Sequence, residues 1–289
     1  MNTTRIAIQG GSASFHDVAA RALHSGKTVA TVPCHTFSSL CSALATKEVD
    51  AAVMAIENTL AGSLLQNYTL LQAHHLHVVA ELWLPIDQNL MALQGQSLED
   101  IHTVISHPVA LAQCGSFLQQ HPHLKPQEAH DTADSAKAIQ EQQLKGVAAI
   151  AGKAAAELYG LELIQENIAD STSNATRFLL LQREQPAIPA TANKAIVVCR
   201  KPLHTSTLTL LLSLLQKNQV ELKLLQTLPA KDQRAHLIAE LEADKVEQLQ
   251  AAIAHISPLV EELQILGIIQ KAELPVTATT TAPQEAAIL

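Results

Sequence analysis

The chain is poor in aromatic side chains, with one Trp, two Tyr and four Phe in 289 residues. Its core must therefore be built from Leu, Ile, Val and Ala, and it has no aromatic platform for stacking nucleic-acid bases. Charge is scarce too. Charged residues make up 16% of the chain, below the usual quarter, but 47% of residues are hydrophobic, which excludes a disordered chain. The charge present is biased to acid, −8 at pH 7 with an isoelectric point near 5.9, so no basic face for nucleic acid is expected. Cys34, Cys41, Cys114 and Cys199 form no CxxC pair. Their scatter argues against a disulfide framework or a zinc site and reads as buried, reduced thiols. His74, His75 and His77 lack the spacing and acidic partners of a metal site, and neither metal nor cofactor is expected. No run of 18 apolar residues occurs, and Met1–Gln9 enters a strand-like run with no apolar signal region. A soluble, cytoplasmic protein without membrane partners is the expectation.

The length suits about two domains of roughly 150 residues. Over residues 1–182, short β-branched runs alternate with helical patterns, which predicts an α/β fold with a largely parallel sheet. Strands are expected at Arg5–Gln9, Val29–Pro33, Ala51–Ala55, Val78–Leu84, Asn89–Leu93, His102–Ser106, Val147–Ala151 and Thr176–Gln182. Helices are expected at Phe15–His24, Phe37–Thr46, Leu64–Ala73, Pro108 to about Gln120, Ala133–Gln142 with Asp131 as N-cap, and Lys153–Tyr159 stopped by Gly160. Residues 183–193 (REQPAIPATAN) read as a linker. From 194 to 272 the order becomes strand, helix, strand, strand, helix, strand, the ferredoxin-like arrangement. The Thr-, Ala- and Pro-rich stretch 273–289 reads as a disordered tail.

Three strands of the first part end in small polar loops that open helices: Gly10–Ser14, Glu57–Ser63 and Ser106–Pro108. Ligands of open α/β sheets sit beyond the carboxyl ends of strands, and helix N-termini suit carboxylates and phosphates. Together the loops outline a pocket for a small anion. No G-x-G-x-x-G follows the first strand, no Walker lysine is present, and no G-x-S-x-G elbow occurs. Dinucleotide, nucleotide and serine-hydrolase readings thus have no anchor.

Several motifs then agree in order and spacing. Glu57-Asn58-Thr59 with Gly62-Ser63 resembles the E-N-[ST]-x-x-G motif of prephenate dehydratases. Ser106-His107-Pro108-Val109-Ala110-Leu111-Ala112-Gln113-Cys114 resembles that family's SHPxALxQC segment, Asp131-Thr132-Ala133 its DTA, and Asn174-Ala175-Thr176-Arg177-Phe178 its N-x-TRF signature. The resemblance implies a two-lobed catalytic domain like periplasmic binding proteins. Residues up to about 80 and from about 170 would form one lobe, and the intervening chain the other. It implies conversion of prephenate to phenylpyruvate, water and carbon dioxide in phenylalanine biosynthesis. Arogenate dehydration, giving phenylalanine directly, is one alternative reading, and a non-catalytic small-anion-binding protein is another.

By this resemblance Thr176 protonates or hydrogen-bonds the departing C4 oxygen, through positioning rather than acid strength. Arg177 is expected to supply a fixed cation for a carboxylate. Regular alternation would send it to the face opposite Thr176, so a bulge would be needed for both to reach the site. Substrate-binding roles fall on Ser14, Phe15, Glu57, Asn58, Thr59, Gly62, Ser63, Ser106, Gln113, Asn174 and Phe178. The first loop departs from the family's G-P-x-G-T-F-S, with Ala13 at a usual glycine and His16 at a usual serine. His16 reads either as a group beside the anion pocket that takes up charge below about pH 6.5 or, preferred here, as a first-turn residue facing solvent.

The second half resembles an ACT regulatory domain, which in this family binds phenylalanine at a subunit interface. Its G-A-L motif reads Ser206-Thr207-Leu208 here, its E-S-R-P reads Gln226-Thr227-Leu228-Pro229, and Glu221 replaces an asparagine. Losing a permissive glycine and gaining Glu221 disfavours an amino-acid carboxylate. Weak or absent phenylalanine inhibition is therefore expected, with the domain mainly joining subunits into a homodimer or homotetramer.

Overall fold

The computed structural model describes residues 3–26, 28–200, 205–228 and 236–275. Pro229 and most of the expected tail lie outside the described residues. In chain order the first lobe opens with β1 (Thr4–Gln9), α1 (Phe15–Leu23), β2 (Val29–Cys34), α2 (Phe37–Ala45), β3 (Ala51–Asn58), β4 (Gly62–Ser63), α3 (Leu65–Ala73) and β5 (His77–Pro85). The second lobe follows with β6 (Asn89–Ala92), β7 (Thr103–Ser106), α4 (Pro108–Gln113), α5 (Gly115–Gln120) and β8 (Lys125–Glu128). It continues through α6 (Thr132–Gln142), β9 (Val147–Ala151), α7 (Lys153–Tyr159) and β10 (Glu162–Gln165). The chain then returns to the first lobe in β11 (Ala175–Gln182). The last part holds β12 (Lys194–Arg200), α8 (Thr205–Lys217), β13 (Glu221–Leu228), β14 (His236–Glu242), α9 (Val246–Ile256) and β15 (Glu262–Ile269).

The strands form three sheets, ordered β2-β1-β3-β11-β5, β10-β6-β9-β7-β8 and β13-β14-β12-β15. A largely parallel sheet was expected, and here the structure corrects the sequence reading. β1 runs parallel to β2 and β3, but β11 is antiparallel to both neighbours. The cause is topological: the second lobe is inserted between β5 and β11, so the chain leaves the first sheet and re-enters it at the same end. Pro85 pairs with Ala175 at that crossing. The second sheet is likewise mixed, with β6 antiparallel to β9 and β10 while β7 parallels β8 and β9.

Burial explains the strands. β3 is buried on both faces from Ala51 to Ile56, a continuous apolar run suited to a sheet interior. β13 alternates between exposed and half-buried residues, as an edge strand does. The third sheet has two working faces. Ala195, Val197, Leu237, Ala239 and Leu241 pack under α8 and α9. Ile196, Val198, Ile238 and Leu266 instead join Leu40, Met54, Tyr68, Leu71 and Leu179 of the first lobe in one core. No described helix is long and apolar enough to cross a membrane.

Candidate active site between the lobes

A cavity of about 330 Å³ lies where the two lobes meet. The first lobe contributes Ser14, Phe15 and His16 from the start of α1, Asn58 from the end of β3, and Thr176 and Phe178 from β11. The second contributes His107 and Gln113 from α4, and Asp131 and Thr132 from the start of α6. Thr176 stands near the junction of the lobes because β11 begins at Ala175.

A β-bulge sets the chemistry of this corner. Along β11 the register against β3 shifts between Arg177 and Phe178, leaving Thr176 opposite Asn58, Arg177 opposite Glu57 and Phe178 opposite Ala55. The extra residue, Ile56, lies in the strand β3. Bulges re-aim side chains, and this one turns Asn58 to the same face as Thr176.

The Asn58 amide is fixed at both ends. Its Oδ1 accepts from the Leu60 and Ala61 amides at 3.0 and 2.9 Å. Its Nδ2 donates to Asn174 Oδ1 at 2.7 Å and to Thr176 Oγ1 at 3.0 Å. Asn174 Nδ2 in turn donates to Gln113 Oε1 at 3.1 Å, which also accepts from Gln88 at 3.4 Å. This relay crosses from one lobe to the other. With its oxygen accepting, Thr176 directs its own hydrogen elsewhere, and Gln113 keeps its Nε2 donor for a ligand.

Arg177 does not reach the cavity, which corrects the carboxylate role expected of it. Strand alternation sends it to the back of the sheet, where its side chain is 3% exposed and pairs with Glu57, Glu81 and Glu240 at 2.9, 3.0 and 2.8 Å. Burial acts to lower its pKa, but Glu240 and Glu81 reverse that and raise it. Glu57 shares this fate: it faces Arg177 rather than the cavity.

Other expected ligand groups do not line the cavity. Ser106 is fully buried and donates to the Ile150 carbonyl at 2.6 Å. Thr59 Oγ1 donates to the Ser173 carbonyl and accepts from the Ala175 amide. Gly62 and Ser63 pair with Asn58 and Glu57 in β4. Asn174 is 3% exposed and supports the wall from behind. Ser206, Thr207, Leu208, Glu221 and Gln226 belong to α8 and β13 of the third unit and line no part of this cavity.

His16 also corrects its expectation. It does not face solvent but lines the cavity, 4.9 Å from the Phe178 ring in a T-shaped pair, with its Nε2 accepting from the Ala55 amide. Burial pushes its pKa down to about 3, so it is neutral. Ala13, where the family has glycine, retains the left-handed backbone with φ 62°, a conformation that strains an L-residue.

Residues missed from the sequence are Gln88, His107, His130 and Asp131 as parts of the wall. His107 and Asp131 stood inside matched motifs, whereas Gln88 and His130 gave no signal. Asp131 caps α6 through the Ala133 and Asp134 amides, and burial raises its pKa. Among the described lining residues there is no Lys or Arg. The positive end of α1 and neutral donors such as Gln113 are what the cavity offers a carboxylate, the start of α6 being capped by Asp131.

A family profile described as prephenate dehydratase matches residues 6–186. An arogenate dehydratase of Petunia hybrida is 34% identical over 282 residues, covering 91% of this chain and 71% of that protein. Two solved structures are similar over nearly the whole chain. One, described as a novel type of quorum quenching acylase, has a TM-score of 0.80 at 28% identity and covers 92% of this chain and 97% of its own. The other, a prephenate dehydratase from Arthrobacter aurescens in complex with L-Phe, has a TM-score of 0.79 at 25% identity and covers 96% and 94%.

Proposed function

Because the chain belongs to the prephenate dehydratase family, we propose that it converts prephenate to phenylpyruvate, water and carbon dioxide. The observation that carries the mechanism is the Asn58–Thr176 contact at 3.0 Å in the cleft. Prephenate carries two carboxylates and a C4 hydroxyl. As the ring carboxylate leaves as carbon dioxide, its bonding pair flows through the ring and the C4–O bond breaks. Thr176, with its oxygen held by Asn58, donates its hydrogen bond to the departing oxygen, which leaves as water after taking up one proton. Aromatisation makes the step downhill, so stabilising the leaving oxygen is the protein's main task. Gln113 and the α1 N-terminus would hold the carboxylates.

Arogenate is the second reading, and Asp131 favours it. Asp131 is the one carboxylate among the described lining residues, and an ammonium group would pair with it where a keto group would not. Acyl transfer has less support: Ser14 Oγ accepts from the Asp17 amide as a helix cap, and His16 Nε2 is engaged by Ala55.

The residue ranges 1–182, 194–272 and the connecting 183–193 are proposed as catalytic, regulatory and linking parts. The regulatory part would be an ACT domain that joins two or four copies and answers weakly to phenylalanine. Glu221 there is exposed and paired with Lys223.

The test is product formation at slightly alkaline pH, where spontaneous prephenate breakdown is slow. Phenylpyruvate from prephenate and phenylalanine from arogenate are measured side by side, with and without added phenylalanine. Turnover of either substrate is the expected result, and Asp131→Asn should lower the arogenate-to-prephenate ratio. No turnover of either by folded protein would contradict the proposal.

A further inference from the structure

Thr176 and Phe178 both face the cleft, and the residue between them points the other way. The ladder is weakest at this point, because the register against β3 slips between Arg177 and Phe178. Side-chain ties replace the missing regularity. Arg177 Nη1 donates to Glu240 Oε2 at 2.9 Å and Nη2 to Glu240 Oε1 at 2.8 Å, a two-pronged pair. Nη1 also reaches Glu81 at 3.0 Å, and Nη2 reaches the Tyr68 hydroxyl at 3.2 Å.

Glu240 differs from the other partners because it comes from β14, 63 residues away and outside the catalytic lobes. Strand alternation turns it from α8 and α9 toward the first lobe, beside Ile238. It is itself held by the Tyr68 hydroxyl and by Lys194 at 3.4 Å. The side chains of Arg177, Glu81 and Glu240 are 3%, 0% and 4% exposed. Two buried cations, Arg177 and Lys194, thus face two buried carboxylates, Glu81 and Glu240.

We propose that Glu240 is a positioning residue for the reaction. Through Arg177 it holds the start of β11, and with it the Thr176 hydroxyl and the Phe178 ring, against the bulged end of β3. The inference rests on the reading of Thr176 as the donor to the departing oxygen. A bidentate carboxylate fixes a guanidinium in both distance and plane. Neutralising Glu240 removes the two-pronged partner and leaves the guanidinium to Glu57 and Glu81, at 2.9 and 3.0 Å, so that its plane is no longer fixed and residues 176–178 shift with it.

The experiment uses the full chain and the substrate that the wild type turns over. Glu240→Gln keeps the shape and removes the charge, and Glu240→Asp keeps the charge. A double Arg177→Gln/Glu240→Gln variant removes both partners and leaves no unpaired buried charge. Each is assayed for kcat and KM at a temperature where circular dichroism shows it folded. Glu240→Gln is expected to lose about tenfold or more in kcat with KM within about twofold, the size of effect a small misplacement produces. Glu240→Asp should recover most of the loss. A wild-type kcat in folded Glu240→Gln, or a loss confined to KM, overturns the inference. Should that variant fail to fold, the double variant decides in the same way: a comparable fall in kcat supports the role and a wild-type kcat refutes it. Thr176→Ala is run in parallel, and full turnover by that variant would fault the mechanism rather than the role of Glu240.

Discussion

His16 shows how one half-buried side chain constrains behaviour with pH. It lies against Phe178 and 5.6 Å from the Phe37 ring, in surroundings that disfavour its charged form. Its folded pKa, about 3, lies below the ordinary 6.5. The stability this provides is complete above pH 6.5 and is lost progressively as pH falls toward 3, because the unfolded chain takes up the proton first. The thermal midpoint should therefore fall as pH drops from 6.5 to 5, and His16→Gln should flatten that decline. An unchanged slope would contradict a desolvated, neutral His16. At this scale the motifs made Thr176, Asn58 and Gln113 legible in the sequence: the first two sit at strand ends and the third closes α4. Arg177 was misread because its partner Glu240 is 63 residues away. Only the assembled sheets reveal that its side chain already has carboxylates.

At the scale of elements, hydrophobic pattern identified the long buried strands and the capped helices but missed β8 and β10. These strands, KPQE and ELIQ, lie at the two edges of their sheet, and β8 is exposed throughout. An edge strand with no buried face leaves no alternation to read. The single helix expected from Pro108 to Gln120 is two, parted at Cys114, whose amide turns back to the Leu111 carbonyl. Strand direction was also invisible, since a buried run reads the same both ways. Close approach between elements gives a sharper test. A Cβ on Gly267 of β15 would come within 2.9 Å of Val78 Cβ and closer still to the Val78 carbonyl oxygen in β5. Backbone cannot rotate aside as a side chain can. Gly267→Ala should cost about 1–3 kcal/mol in urea unfolding, and a neutral result would show that β5 and β15 are not so close.

The whole molecule is bound by a core that ignores the linker. Residues of the third sheet share one apolar cluster with the first lobe, and the Arg177–Glu240 and Lys194–Glu81 pairs cross the same boundary. The sequence indicated two folding units but not this shared interior, because each unit's pattern is satisfied by any apolar neighbour. The two should melt together in one transition, and separate transitions would contradict the shared core. Burial acts to raise the Glu240 pKa, but Arg177 outweighs it and holds it below the usual 4.5. The pair's contribution is thus present above about pH 4.5 and is lost as pH falls below it. Acid should loosen this boundary, with Glu240→Gln showing a smaller dependence.

The central claim is that the Thr176 hydroxyl, held by Asn58, helps the C4 oxygen of the substrate to leave. The direct measurement compares Thr176→Ala and Thr176→Ser with the wild type in single-turnover assays at saturating substrate, alongside substrate binding. Thr176→Ala should bind normally yet lose about 10²-fold or more in rate, the scale of positioned proton donation, while Thr176→Ser keeps much of it. A folded Thr176→Ala that turns over within a few-fold of the wild type would contradict the account.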